Sequence, residues 1–276
     1  MNQPLIALIH IPKTAGTTFR GILQNSFALS HCDAISRRRG KRNLPFGEVD
    51  FRFTSFFYPR LRSVSGHSIR PYHDFCPKSR PVQWVTFVRE PAARFVSHFI
   101  YQKRVEEDLD FSTWMKRSRH HNQQCKWLSG VPDATQAMRI IEEKSIFVGL
   151  TEHFDESLYL LKNLRLPSLR TEYTSRNRSE SIDSATSLLN DRSARSEIED
   201  VCQEDQRLYD HIRSTVFPEY RMILPEGIGD HTAIGPSLRG PSRLRTGLSL
   251  GYRKMVYIPA RKAFLAMSKP FPEDPS

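Results

Sequence analysis

No stretch of this sequence approaches the roughly 20 consecutive apolar residues that cross a bilayer, so it predicts no membrane span. Its first apolar run is short and has neither a basic leader nor a small-residue cleavage site, which argues against a secretory signal and for a cytoplasmic protein. Cysteine is scarce: Cys32, Cys76, Cys125 and Cys202 stand far apart, with no short-spaced pair. That spacing speaks against a zinc site and leaves reduced structural thiols as the simplest state, with two long-range disulfides still open. Acidic side chains are outnumbered, 30 Asp and Glu against 41 Lys and Arg, and the formal net charge is +11. Such a surface favours an anionic partner without naming one. Nucleic acid is the second reading of that charge, but the chain lacks a paired-cysteine finger, a glycine-aromatic single-strand motif and a convincing recognition-helix pattern. A nucleotide together with an acidic substrate explains the excess as well.

What is present is an ordinary globular composition, 38% hydrophobic and 26% charged over 276 residues, enough for one large domain or two small ones. "LIALIHI" (5–11) reads as a buried strand, and "TTFRGILQNSFAL" (17–29) sets Phe19, Ile22, Leu23 and Phe27 at helical intervals. "VDFRFTSFFYPRLRSVSGHSI" is rich in β-branched and aromatic residues and predicts a strand near 62–68. "PVQWVTFV" (81–88) is a further buried strand that tolerates Pro81 at its start, and Pro91 suits the first turn of the helix carrying "AARFVSHFIYQKR". Short helices are expected at "FSTWMKR" and at "QCKWLSG", the latter ending at Gly130, then an amphipathic helix at "ATQAMRIIEEK". A strand at 145–150 and the helix "HFDESLYLLKNL" follow. Residues 170–198 predict an exposed loop around a short polar helix, and "EDVCQEDQRLYDHIRSTV" the last strong helix.

No repeat and no second domain is visible. Alternating strands and helices predict an α/β, P-loop-like three-layer fold: a central parallel sheet flanked by helices, with ligands at the strand C-terminal ends. The expected domain spans 1–225. A basic extension rich in Gly, Pro and Ser, 226–276, follows, with "YRKMVYI" its one compact apolar piece. That piece is open to packing on the core, to peripheral contact with a membrane surface or to pairing with another subunit; the oligomeric state is not readable.

The chemistry concentrates in "PKTAGTT", Pro12–Thr18, between the first strand and the first helix. Gly16 permits close backbone approach, and the amides of Ala15 to Thr18 can point at one phosphate from a helix start. Thr17 and Thr18 add hydroxyl donors, and Lys13 a mobile positive charge. The alternative is an ordinary strand-to-helix turn with a surface lysine. The loop does not match G-x-x-x-x-G-K-[ST], because its lysine precedes the glycine. His67, at the end of the strand predicted near 62–68, can be neutral near physiological pH and act as a general base. His10, His73 and Asp74 are its rivals: His10 suits a buried, orienting role, and His73-Asp74 suit substrate binding. Arg94 is either a phosphate ligand or a solvent residue, and Trp127 either a base-stacking platform or a core tryptophan.

Residues 9–23 resemble the 5′-phosphosulfate loop of sulfotransferases that use 3′-phosphoadenylyl sulfate (PAPS), especially the carbohydrate O-sulfotransferases and their bacterial relatives. "VTFVREPAARFVSHFIY" (85–101) resembles that family's 3′-phosphate motif, a strand followed by Arg and, eight residues later, Ser. "FVGLTEHFDESLYLL" (147–161) matches a further segment, and "SGHSI" fits the place of the histidine base in the heparan-sulfate 2-O/6-O branch. The resemblance covers roughly residues 5–215 and departs at Glu90, where many relatives have Asp, and in the region after Gly66-His67. It implies a sulfuryl transfer from PAPS to a hydroxyl of a carbohydrate or glycolipid, with adenosine 3′,5′-bisphosphate (PAP) as product and no metal required. It implies that Pro12, Lys13, Thr14, Ala15, Gly16, Thr17, Thr18, Arg89 and Ser97 hold the nucleotide. Lys13 and His67 would then be catalytic, and Arg70, His73 and Asp74 would meet the acceptor. The basic residues of 36–42, 60–70 and 176–178 could line a groove for an acidic glycan. The competing readings are an ATP- or GTP-dependent kinase or hydrolase of a related fold, and a non-catalytic nucleotide- or nucleic-acid-binding protein.

Overall fold

A strand that is apolar on both faces has to lie between other strands and under helices on both sides. Leu5–Ile9 is such a strand: all five residues of β1 are buried. In the computed structural model, which describes residues 3–35, 38–39, 42–78, 80–173, 187–224 and 242–267, β1 sits at the centre of a five-stranded sheet. With β2 (His31–Asp33), the two-residue hairpin strands β3 (Arg38–Arg39) and β4 (Arg42–Asn43), β5 (Ser63–Gly66), β6 (Val82–Val88) and β7 (Phe147–Leu150), the sheet order is β2-β5-β1-β6-β7. Every pairing in that sheet is parallel; only the separate β3–β4 hairpin is antiparallel. Register sets β1 between β5 and β6, with Ile9 opposite both Gly66 and Thr86. The C-terminal ends of the three middle strands therefore open at one edge.

Alternation along β6 assigns the two helical layers. Phe87 points to one face and meets Phe19 of α1 (Gly16–Phe27) and Phe154 of α7 (Phe154–Leu164), with ring centroids 5.0 and 5.1 Å apart. Trp84 points to the other and packs on Phe75, which touches Phe51 of α2 (Glu48–Phe57). This is the expected α/β three-layer arrangement. The four cysteines are free thiols, three of them buried.

Two segments differ from the sequence expectation. The aromatic-rich stretch before β5 forms α2, because Asp50 accepts from the Gly47 amide and Phe51 and Thr54 turn inward at helical spacing. The strand expected near 62–68 is β5, and the helix ahead of it was not foreseen. The expected last helix is divided at Cys202 into Arg192–Val201 and Gln203–His211, and further helix follows at Phe217–Ile223 and from Arg243 to Met267. That final helix is fastened to α2: Tyr257 is buried and shares a hydrogen bond with Thr54 at 3.0 Å, and the buried Arg261 pairs with Asp50. The basic side chains of 36–42 and 176–178, and residues 225–241 and 268–276, lie outside the described residues.

Candidate functional site

Two strand-to-helix crossovers leave the open sheet edge from neighbouring strands, β1 and β6. After β1, Lys13 and Ala15 both adopt left-handed backbone, φ 70° and 60°. For residues with a Cβ this costs about 1–2 kcal/mol each. Thr14 between them is buried and donates its hydroxyl to the Ile11 carbonyl at 3.0 Å, which holds the turn. The loop feeds α1, whose first turn has no side-chain cap and no acidic residue. Its amides and the positive end of the helix dipole are thus available to an anion. Pro12, Thr17 and Thr18 are half-buried around that turn.

Gly16 has a further role here. A Cβ at this position would lie 2.1 Å from Cδ2 of His10, so the glycine makes room for an imidazole. His10 is buried and stacks on His67 with ring centroids 4.1 Å apart. Burial, reinforced by the nearby charges of His67 and Arg20, lowers the His10 pKa to about 3, so it is a neutral platform.

His67 reaches the loop because it follows β5, which pairs with β1. Its Nδ1 donates to the His10 carbonyl at 2.9 Å. A carbonyl only accepts, so the proton is on Nδ1 and Nε2 keeps its lone pair. Burial lowers the His67 pKa; the hydrogen bond opposes this, and the charges of Arg70 and Arg20 reinforce it. Arg70 donates to the carbonyls of His67 and Ile69, and its guanidinium lies 4.2 Å over the ring of Trp127. Trp127 thus carries a cation beside the histidine. His73 is exposed on the next turn, its ring 5.7 Å from that of Tyr72. Asp74 is elsewhere: it pairs with Lys144 at 3.3 Å and shares a depression with Val82 and Trp84 at the start of β6, the end away from Arg89.

On the second crossover, Gln124 of α5 (Gln123–Ser129) holds the Arg89 backbone twice. It accepts from the amide and donates to the carbonyl, both at 2.9 Å. The amides of Gln124 and Cys125 donate in turn to the completely buried Asp205, at 3.0 and 2.9 Å. So anchored, Arg89 donates through Nη1 to the Lys13 carbonyl at 3.4 Å. The two crossovers meet at this contact. Lys13 Nζ lies 4.8 Å from the Tyr101 ring centroid. Burial lowers the pKa of Lys13, with the charges of Arg89 and Arg104 adding to the effect, and burial likewise lowers that of Arg89. Neither forms an ion pair with a carboxylate among the described residues. At Arg89 the charges of Glu152 and Glu90 oppose the effect of burial, whereas every cause acting on Lys13 disfavours its charged form, and an anion beside Lys13 would relieve that.

Arg94 is a buried residue and not a solvent one. It has no exposure, donates to Gln123 Oε1 at 2.7 Å and the His120 carbonyl at 3.1 Å, and lies 4.0 Å from Asp205. Glu90 caps α3 (Pro91–Lys103), accepting from the amides of Ala92 and Ala93 at 3.3 and 2.6 Å. Ser97 is half-buried two turns along α3. Its neighbour His98 went unnoticed in the sequence. Burial first, then the charges of Arg94 and Lys13, lowers its pKa to about 3, and its Nδ1 is buried with no hydrogen-bond partner among the described residues. Only its position beside Ser97 could have marked it.

No family model and no curated protein matches the chain. Its functional reading therefore stands on this geometry and on the motifs.

Proposed function

We propose that the protein is a PAPS-dependent sulfotransferase acting on a hydroxyl of a carbohydrate or glycoconjugate. The observation that carries this reading is the contact between Arg89 and Lys13, which joins an uncapped helix start to a second cation one strand away. A nucleotide with phosphate at both 5′ and 3′ positions suits two such anion sites; a plain 5′-triphosphate uses only the first. The α1 amides, with Thr17 and Thr18, bind the 5′-phosphosulfate, and Arg89 with Ser97 binds the 3′-phosphate. His67 Nε2 takes the proton of the acceptor hydroxyl as its oxygen attacks sulfur in line. The bond from sulfur to the bridging oxygen breaks, and Lys13 stabilises the charge that grows on the departing phosphate. Arg70 and Trp127, beside His67, border the acceptor side.

The test is transfer of label from PAPS to a panel of glycans, lipid-linked sugars and small alcohols, run in parallel with labelled ATP. Sulfated product formed in the presence of a chelator supports the reading. Magnesium-dependent phosphorylation from ATP, with no PAPS binding, replaces it with a kinase.

A further inference from the structure

The helix from Arg243 to Met267 has an inner face packed on the domain. Arg245 donates to the carbonyls of Asn25 and Ser26, both at 2.8 Å, and Ser249 is buried. Tyr252 donates to the Phe57 carbonyl at 2.6 Å, and Tyr257 and Arg261 are fully buried. A π-helical turn at Arg253–Tyr257 adds the residue of spacing that lets Tyr252 and Tyr257 both face inward, where each packs on Tyr58 at 5.3 Å.

The outer face is a different surface. Leu244, Leu248 and Met255 are 73%, 51% and 79% exposed, and Pro259, Ala263 and Met267 continue the exposed row. Gly247 and Gly251 meet nothing within 4 Å of a built Cβ, so they leave a shallow apolar groove against Leu29 and Leu244. The charged side chains on this face are of one sign: Arg243, Lys254 and Lys262 are exposed, and residues 242–267 contain no Asp or Glu. A second copy of this chain would set these cations against each other. A bilayer with anionic headgroups accepts both the apolar row and the cations.

We propose that this face docks the protein on the surface of an anionic phospholipid membrane, the helix lying in the interface with Leu244, Leu248 and Met255 inserted and Arg243, Lys254 and Lys262 on the headgroups. The site rests on no assumption about catalysis. It does not span the bilayer: no helix among the described residues is long and apolar enough to do so.

The experiment is sedimentation of the full chain with vesicles of phosphatidylcholine alone and of phosphatidylcholine mixed with phosphatidylglycerol. The wild type is expected to sediment with the mixed vesicles and stay in solution with the neutral ones. The variant Arg243→Gln/Lys254→Gln/Lys262→Gln should lose affinity on the order of a hundredfold. Leu244→Glu/Leu248→Glu/Met255→Glu should stop sedimenting while keeping the wild-type circular dichroism and melting transition, since all three side chains are exposed. Failure to bind either vesicle overturns the proposal, as does equal binding to both or unchanged binding by these variants. A dimer in light scattering that the Glu variant dissolves, without vesicle binding, assigns the face to a second copy instead.

Discussion

The helices α1 and α3 leave the same sheet edge one strand apart, and their first turns are opposites. The α3 turn is closed by the chain itself: Pro91 removes one amide donor, and the Glu90 carboxylate takes two more. The α1 turn has no cap, no acidic residue and two left-handed non-glycine residues leading into it. One helix start is satisfied and serves to aim Arg89; the other is strained and left uncapped. Strain of that kind persists only where surrounding structure imposes it. Here the Thr14 hydroxyl, bonded to the Ile11 carbonyl, holds the turn. Local satisfaction thus separates scaffold from site at one sheet edge, more clearly than burial or charge does.

Substitutions can break this contrast from either side. Lys13→Ala should have the largest effect, lowering kcat for sulfuryl transfer by about 10²–10³-fold with the melting temperature unchanged. A steady-state assay with a thermal melt checks both. His67→Ala should cost at least about 10²-fold in kcat while PAP still binds with wild-type affinity in a calorimetric titration. The wild-type pH profile sharpens the same point. His67 must be unprotonated to accept a proton, and its pKa is lowered, so the acid limb should have its midpoint below about 6.5. A midpoint above that value would remove His67 from the role.

Gly16→Ala should cost both stability and turnover, because the new Cβ expels the His10 ring and with it the support of His67. Denaturant unfolding should fall by about 1–3 kcal/mol. Glu90→Ala should have the smallest effect, about 1 kcal/mol of stability from the lost cap, with the lysine loop undisturbed. A larger loss of PAP binding than of stability would show that the closed turn is also part of the site.

The sequence made the fold legible where apolar runs and turn residues agreed, as at β1, β6, β7 and α3. It failed at α2, where aromatic side chains hid a capped helix, and at the C-terminal helix, whose seat depends on a pairing of Arg261 with Asp50 across 211 positions. The candidate residues Lys13 and Arg89 were visible as types in a pattern; the contact between them was not, because strand order creates it. His10 shows the limit most plainly. Its place in the first strand already suggested a buried, orienting role, but the stack on His67 and the close approach to Gly16 depend on strand pairing that local spacing does not reveal.

The central claim is that two anion sites on adjacent crossovers hold one nucleotide by its 5′ and 3′ phosphates. Calorimetric titration of PAP and of ADP, each into wild type and Arg89→Ala with a chelator present, tests it directly. The account predicts that PAP binds wild type far more tightly than ADP and that Arg89→Ala erases the difference. Equal affinity for PAP and ADP in the wild type, or a preference for PAP that survives in Arg89→Ala, would contradict it.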